Sequence, residues 1–297
     1  MFTRPVSLND DDVLTTLRRC WGLAVDNVEY RALGFGSHHW HAVGDGTQWF
    51  VTVDDLDARR RHESDSRLIA TRRLNTALSA AYVLQRQGMA FVVGPILSRS
   101  GLVLENVDDR YVLALYPYLE GRHGTGGHYD VQAERFAVVD CLIDIHGATG
   151  AVKSVIGVED FDIPGRDQLT VALDEMSTPL FSGPYAERAC ALLARHSGEL
   201  ITALRHYDDL VGCVQRSCGD MVVTHGEPHR GNVVFTEHGA SLIDDDALRL
   251  YRLWWDLCEI PLYIDEFRRS HIDSVDTRTA WQGLVKYLDP RRWVGFA

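Results

Sequence analysis

Apolar positions along this chain alternate in short strand-like runs between residues 25 and 115, around one long helical stretch, and recur mainly at helical spacing from residue 130 onward. Ser7-Leu8-Asn9-Asp10 precedes Val13, Leu14 and Leu17, which predicts a capped amphipathic helix over residues 8–20, ended by Gly22. Residues 25–33 read as a strand. Gly34-Phe35-Gly36-Ser37 then leads into residues 39–43, a turn at Gly44-Asp45-Gly46, and residues 48–53. Asp-Gly between two aromatic-rich runs predicts a β-hairpin. Residues 57–87 place Leu68, Ala70, Leu74, Ala77, Leu78, Ala81 and Leu84 on one helical face, with Arg59, Arg60, Arg61, Arg67, Arg72 and Arg73 on the solvated remainder. Residues 91–97, 102–104 and 111–115 read as three further strands, so this part is expected to hold about five strands and one major helix.

Tyr116-Pro117-Tyr118-Leu119-Glu120-Gly121 ends the last strand, and because proline cannot extend a central ladder the chain leaves the sheet there. From Asp130 onward the pattern is helical, over residues 131–146, 166–176, 185–207 and part of 253–297, with Pro- and Gly-marked breaks at 157–165 and 177–184. The expectation is an α+β, two-lobed fold: a β-rich lobe over 1–115, a connection over 116–121, and a larger helical lobe over 122–297. One β unit is embedded in the helical part. Met221-Val222-Val223 and Val233-Val234-Phe235 flank a polar loop, and Ser241-Leu242-Ile243 comes after a turn at Glu237-His238-Gly239.

Composition narrows the function classes. With 45% hydrophobic and 24% charged residues the chain resembles ordinary globular proteins. Its formal charge of −12 argues against nucleic acid as a partner and favours a cationic small molecule. The six cysteines, Cys20, Cys141, Cys190, Cys213, Cys218 and Cys258, show neither a Cys-x-x-Cys pair nor zinc spacing, which points to free thiols in a reducing compartment. The first residues lack the apolar core of a signal peptide, and no apolar run is long enough to span a membrane. A cytoplasmic protein with no membrane partner is expected.

The polar residues of the embedded β unit sit at strand ends. They read His225-Gly226-Glu227-Pro228-His229-Arg230-Gly231-Asn232, then Asp244-Asp245-Asp246 after Leu242-Ile243. A carboxylate at Glu227 can accept a proton. The amide oxygen of Asn232 together with Asp244 and Asp246, which strand alternation sends to one face, offers oxygen donors suited to Mg²⁺. The run of acids could instead be a solvated turn, but the spacing from Asn232 favours a metal site. His225 and His229, four apart around Glu227, invite a zinc reading; Gly226 and Pro228 break the helical turn that reading requires. Hard-cation ligands beside one base imply phosphoryl transfer.

These residues carry a resemblance. His-Gly-Glu-x-His-x-Gly-Asn followed by Leu-Ile-Asp-x-Asp resembles the catalytic loop and metal-binding segment of the aminoglycoside phosphotransferases, relatives of the protein kinases, and the order of parts is similar over roughly residues 25–260. The resemblance implies a two-lobed protein-kinase-like fold, Glu227 as catalytic base, and Asn232 and Asp244 as Mg²⁺ ligands assisted by Asp246. It further implies Gly34, Phe35, Gly36 and Ser37 as a phosphate-covering loop, and Tyr116, Pro117, Tyr118 and Leu119 as the hinge that holds the base of ATP or GTP. Two positions depart from the family pattern. Glu227 stands where the family has Asp, which moves the carboxylate out by about 1.5 Å. The third strand, Phe50-Val51-Thr52-Val53-Asp54, lacks the lysine that contacts phosphates, and Arg60, Arg61 or Arg67 could replace it.

The implied activity is Mg²⁺-dependent transfer of a γ-phosphoryl group to a hydroxyl of an aminoglycoside or another hydroxylated antibiotic, a cationic acceptor included. Asp160, Asp162, Asp256, Glu259, Asp265 or Glu266 could receive such an acceptor. Two alternatives stand beside it: a catalytically weakened kinase-like protein that binds a ligand without turnover, and a metabolic kinase of the choline or homoserine type.

Overall fold

The computed structural model describes residues 2–33, 36–123, 129–176, 183–217, 221–225, 232–236, 239–240 and 248–293. Its contacts group into two compact units, one of Met1–Arg60, Asp65–Val158 and Met221–Asp245, the other of Arg61–Ser64, Glu159–Asp220 and Asp246–Ala297.

In the first unit, α1 (Asp10–Thr16) starts at a capping box between Asn9 and Asp12 and continues as a π-helical turn over Leu17–Trp21. Gly22, at φ 69°, ends it in the left-handed conformation. Strands β1 (Asn27–Arg31), β2 (His38–Gly44), β3 (Thr47–Asp55), β4 (Glu105–Asn106) and β5 (Tyr111–Pro117) form an antiparallel sheet in the order β1-β2-β3-β5-β4. Asp45 and Gly46 both have positive φ, 48° and 73°, as the two-residue β2–β3 turn demands.

Alternation divides the sheet into two faces. Trp40, Ala42, Val51, Val53, Leu113 and Leu115, all fully buried, point to the face covered by Val13, Leu17 and Trp21. Each such large side chain contributes about 1.5–3 kcal/mol by leaving water. The other face carries Val112 and Ala114 beneath Ala70, Leu74, Leu78 and Tyr82 of α2 (Arg67–Arg86).

Two expectations for this region are corrected. Helix α2 begins at Arg67, after the Ser66 cap, rather than at 57, because the Asp57 carboxylate is held in a bidentate pair by Arg67 and the chain turns through 56–59. Residues 91–97 and 102–104 are not strands; of the first, Ile96 makes a main-chain bond to Leu115 without building a ladder.

The same unit contains α3 (Gln132–Gly147), α4 (Thr149–Val152) and a small sheet, β6 (Arg122–His123), β7 (Val234–Thr236) and β8 (Gly239–Ala240), in the order β6-β7-β8. Val138, Leu142, Ile145, Val152, Val223 and Val233 form their common core with Leu84 and Val92. Residues 221–223 are not a strand, so the embedded β unit begins later than expected, and Ser241-Leu242-Ile243 lies outside the described residues. Gly121 passes so close to β7 that a Cβ there would meet Val234 Cγ1 at 2.7 Å and the Phe235 carbonyl oxygen at 2.8 Å.

The second unit is helical: α5 (Arg166–Asp174), α6 (Ala186–Ser217), α7 (Leu248–Arg268), α8 (Val275–Tyr287) and a 3₁₀ turn over Pro290–Arg292. Leu200, Leu253, Leu257, Ile260 and Leu284, none of them exposed, centre its core. Asp256, also fully buried, is gripped by Arg292 through bonds of 2.9 and 2.6 Å. Cys20, Cys141, Cys190, Cys213 and Cys258 form no disulfide among the described residues. No described helix is long and apolar enough to cross a membrane.

Candidate functional site

The second face of the β1–β5 sheet changes character along its strands. Where α2 covers it, it is apolar. Toward β2 the same face presents His39, His41, Phe50, Thr52 and Asp54, because in β2 and β3 every second residue shares a side and the register sets His39 opposite Thr52 and His41 opposite Phe50. Tyr116 joins them from β5, opposite Phe50.

Asp54 organises one end of this face. Its residue is only 5% exposed, and its Oδ1 accepts from the Ser37 hydroxyl at 2.9 Å and from Arg59 Nε at 2.8 Å. Arg59 Nη2 lies 2.5 Å from the same oxygen and donates to Ser37 Oγ at 2.8 Å. A buried carboxylate requires such a partner, since an unpaired charge here would be strongly destabilising. Gly36 lies close to the guanidinium at φ 128°, in the region that favours glycine, and a Cβ built there would lie 3.7 Å from Nη2.

The rest of the face is aromatic. His39 stacks on Phe50 with ring centroids 5.1 Å apart and 25° between planes. Its buried Nδ1 has no hydrogen-bond partner among the described residues. Burial, against the opposing charge of Asp54, pushes its pKa down to about 4, so the ring is neutral near pH 7. His41 Nε2 pairs with Gln48 Oε1 at 2.8 Å, and its ring lies 4.5 Å from that of Tyr118. The Tyr116 phenol is pushed up by burial and by the charge of Asp54. One end of the face thus carries a hydrogen-bonded cation beside a glycine turn, the other a flat aromatic platform.

No family model matches the chain, and no curated protein sequence matches it. Solved structures do. Spectinomycin phosphotransferase APH(9)-Ia, in its complex with ADP and spectinomycin, superposes with a TM-score of 0.67 at 11% identity, over 98% of this chain and 100% of that one. Its AMP-bound complex gives 0.65 at 12% identity, over 97% and 98%. An aminoglycoside phosphotransferase from Alicyclobacillus acidocaldarius gives 0.50 at 14% identity, over 99% and 96%.

This is the aminoglycoside phosphotransferase fold. The likeness runs the length of both chains, and the two-lobed α+β expectation is met.

Within the aminoglycoside phosphotransferase fold the sequence-derived site residues are placed unequally. Gly36 and Ser37 stand at the Asp54–Arg59 cluster; Gly34 and Phe35 lie outside the described residues. The main chain of Tyr116 pairs with Phe50 and that of Pro117 with Trp49, so both still belong to β5, and Tyr118 and Leu119 come directly after it. Tyr118 is 38% exposed. Asn232 is exposed and directly precedes the fully buried Val233. Glu227, Asp244 and Asp246 lie outside the described residues. The donor set of Asn232, Asp244 and Asp246, all oxygen, fits magnesium by its chemistry.

Asp54, Arg59 and Phe50 were not singled out from the sequence. Arg60, Arg61 and Arg67, proposed there as substitutes for lysine, lie against other acids: Arg60 against Asp57 at 4.0 Å, Arg61 against Asp160 at 3.6 Å, and Arg67 against Asp57 and Asp109 at 2.8 and 2.9 Å. The signal that could have found Arg59 was Asp54, an acid whose parity puts it on the same face as Thr52 and which therefore needs a cation close in sequence. Of the acids suggested for a cationic acceptor, Asp256 is occupied by Arg292, and Glu259 accepts from the Tyr263 hydroxyl at 2.5 Å.

Proposed function

We propose that this chain is a small-molecule O-phosphotransferase that moves the γ-phosphoryl group of ATP or GTP to a hydroxyl of an aminoglycoside or another hydroxylated antibiotic. The observation that carries this is the full-length likeness to a phosphotransferase solved with ADP and its antibiotic, in a chain that also has the His225–Asn232 and Asp244–Asp246 motifs. In this reading residues 1–115 and 122–297 are the two lobes and 116–121 the hinge. Glu227 accepts or orients the acceptor proton. Asn232 and Asp244, with Asp246, hold Mg²⁺, which when bound supplies positive charge against the phosphates. Ser37 and Gly36 face the phosphates, and the aromatic platform of His39 and Phe50, with Tyr116 and Tyr118 beside it, suits a flat purine.

The test is nucleotide consumption across a panel of hydroxylated antibiotics, with choline and homoserine as further acceptors, each with and without magnesium. Turnover that Glu227→Gln lowers by about 10²–10⁴-fold, the usual contribution of a general base, supports the reading. Tight antibiotic binding without turnover would instead make the chain a kinase-like binder. Turnover with choline or homoserine alone would make it a metabolic kinase.

A further inference from the structure

We infer that Arg59 is the cation that receives the nucleotide phosphates in this chain and that Asp54 is the residue that positions it. The inference rests on the phosphotransferase reading and narrows it to the donor side of the site.

Thr52 cannot take a lysine's part, because it carries no charge. Arg59 reaches the same face from the turn after β3. Its guanidinium is anchored along one side, with Nε on Asp54 and Nη2 on Asp54 and Ser37. No described residue hydrogen-bonds to Nη1, which leaves two N–H donors in a fixed plane. A planar fork with one edge tethered and another open is the form in which arginine meets phosphate oxygens.

The Gly36 main chain lies beside the guanidinium, with a Cβ built there 3.7 and 3.9 Å from Nη2 and Nη1. The arginine side chain is 36% exposed while that of its acid is 7% exposed, so the anchor is buried and the arginine reaches solvent. Because the buried carboxylate holds the guanidinium before any ligand arrives, little ordering is left for binding to supply.

Titration calorimetry with ADP and with adenosine, in magnesium-free buffer, isolates the phosphate contribution. The wild-type chain is expected to prefer ADP, and Arg59→Gln to reduce ADP affinity at least about tenfold while adenosine affinity stays unchanged. An Asp54→Asn/Arg59→Gln double variant, which leaves no unpaired buried charge, gives the same loss with its thermal unfolding preserved. Asp54→Asn alone keeps the cation but loosens its anchor, so the preference for ADP falls by a smaller factor, and Asp54→Glu restores part of it. An ADP preference that survives in Arg59→Gln and in the double variant overturns the inference and leaves the phosphotransferase reading standing. A wild-type chain that binds neither ligand, with magnesium restored as well as without it, overturns both.

Discussion

His39 shows how one side chain can tie the candidate site to the stability of its sheet. Its imidazole is pushed down to about 4 by burial, below the ordinary 6.5 of the unfolded chain. As the pH falls the unfolded state therefore takes up the proton first, so stability contributed by neutral His39 is fully present above about pH 6.5 and is lost as pH falls toward 4. The shift is worth roughly 3 kcal/mol at most. Urea denaturation at pH 7 and at pH 4.5 is expected to show a smaller difference in His39→Phe, which keeps a ring on Phe50, than in the wild-type chain; equal differences would remove His39 from the account. At this scale the sequence was legible in part. Alternation alone puts Thr52 and Asp54 on one face. That Arg59 turns back to Asp54 was hidden, because the polar run over 57–66 reads as the solvated first turns of the helix that follows, whereas the helix begins only where Ser66 caps it.

Among the elements, the β2–β3 hairpin was the most readable, because a two-residue turn requires positive φ at both positions and Asp-Gly supplies it locally. Two of its glycines act by different physics. A Cβ at Gly44 would meet the Ala24 carbonyl oxygen at 1.9 Å, so backbone must move; at Gly46 nothing lies within 4 Å and only the φ of 73° resists. Gly44→Ala is expected to destabilise the chain by about 3 kcal/mol or more, and Gly46→Ala by about 1–2, in urea titrations. Helix α8 offers a cleaner case. Ser274 caps it in a reciprocal box with Thr277, and Ser274→Ala is expected to lower stability by about 1 kcal/mol, read from the same titrations. The segments 91–97 and 102–104 were misread for a common reason. An apolar run marks burial, but a strand is defined by a neighbour that completes its ladder, and Tyr111–Pro117 already has β3 on one side and the short β4 on the other.

For the molecule as a whole, charge is the property that sequence states most directly. A formal charge of −12 raises the local concentration of cations around the chain, and salt screens that effect. Raising ionic strength from about 0.05 to 0.5 M is expected to increase the KM of a cationic acceptor severalfold and to leave that of an uncharged one within about twofold, by steady-state kinetics. A neutral and a cationic acceptor that respond alike would make the acidity a matter of solubility. The order of parts was legible as well, since strand period, helix period and proline-marked breaks are each carried by neighbouring residues. So were the residue types at 227, 232, 244 and 246, whose chemistry belongs to the side chains themselves. Tertiary structure alone decided that Asp54 meets Arg59 rather than solvent, that Arg67 belongs to Asp57, and that Asp256 is taken by Arg292, 36 residues away. Those outcomes depend on which distant groups are buried together, because the energy of a charge is set by the partner and the water it has left, and neither is written at its own position in the chain.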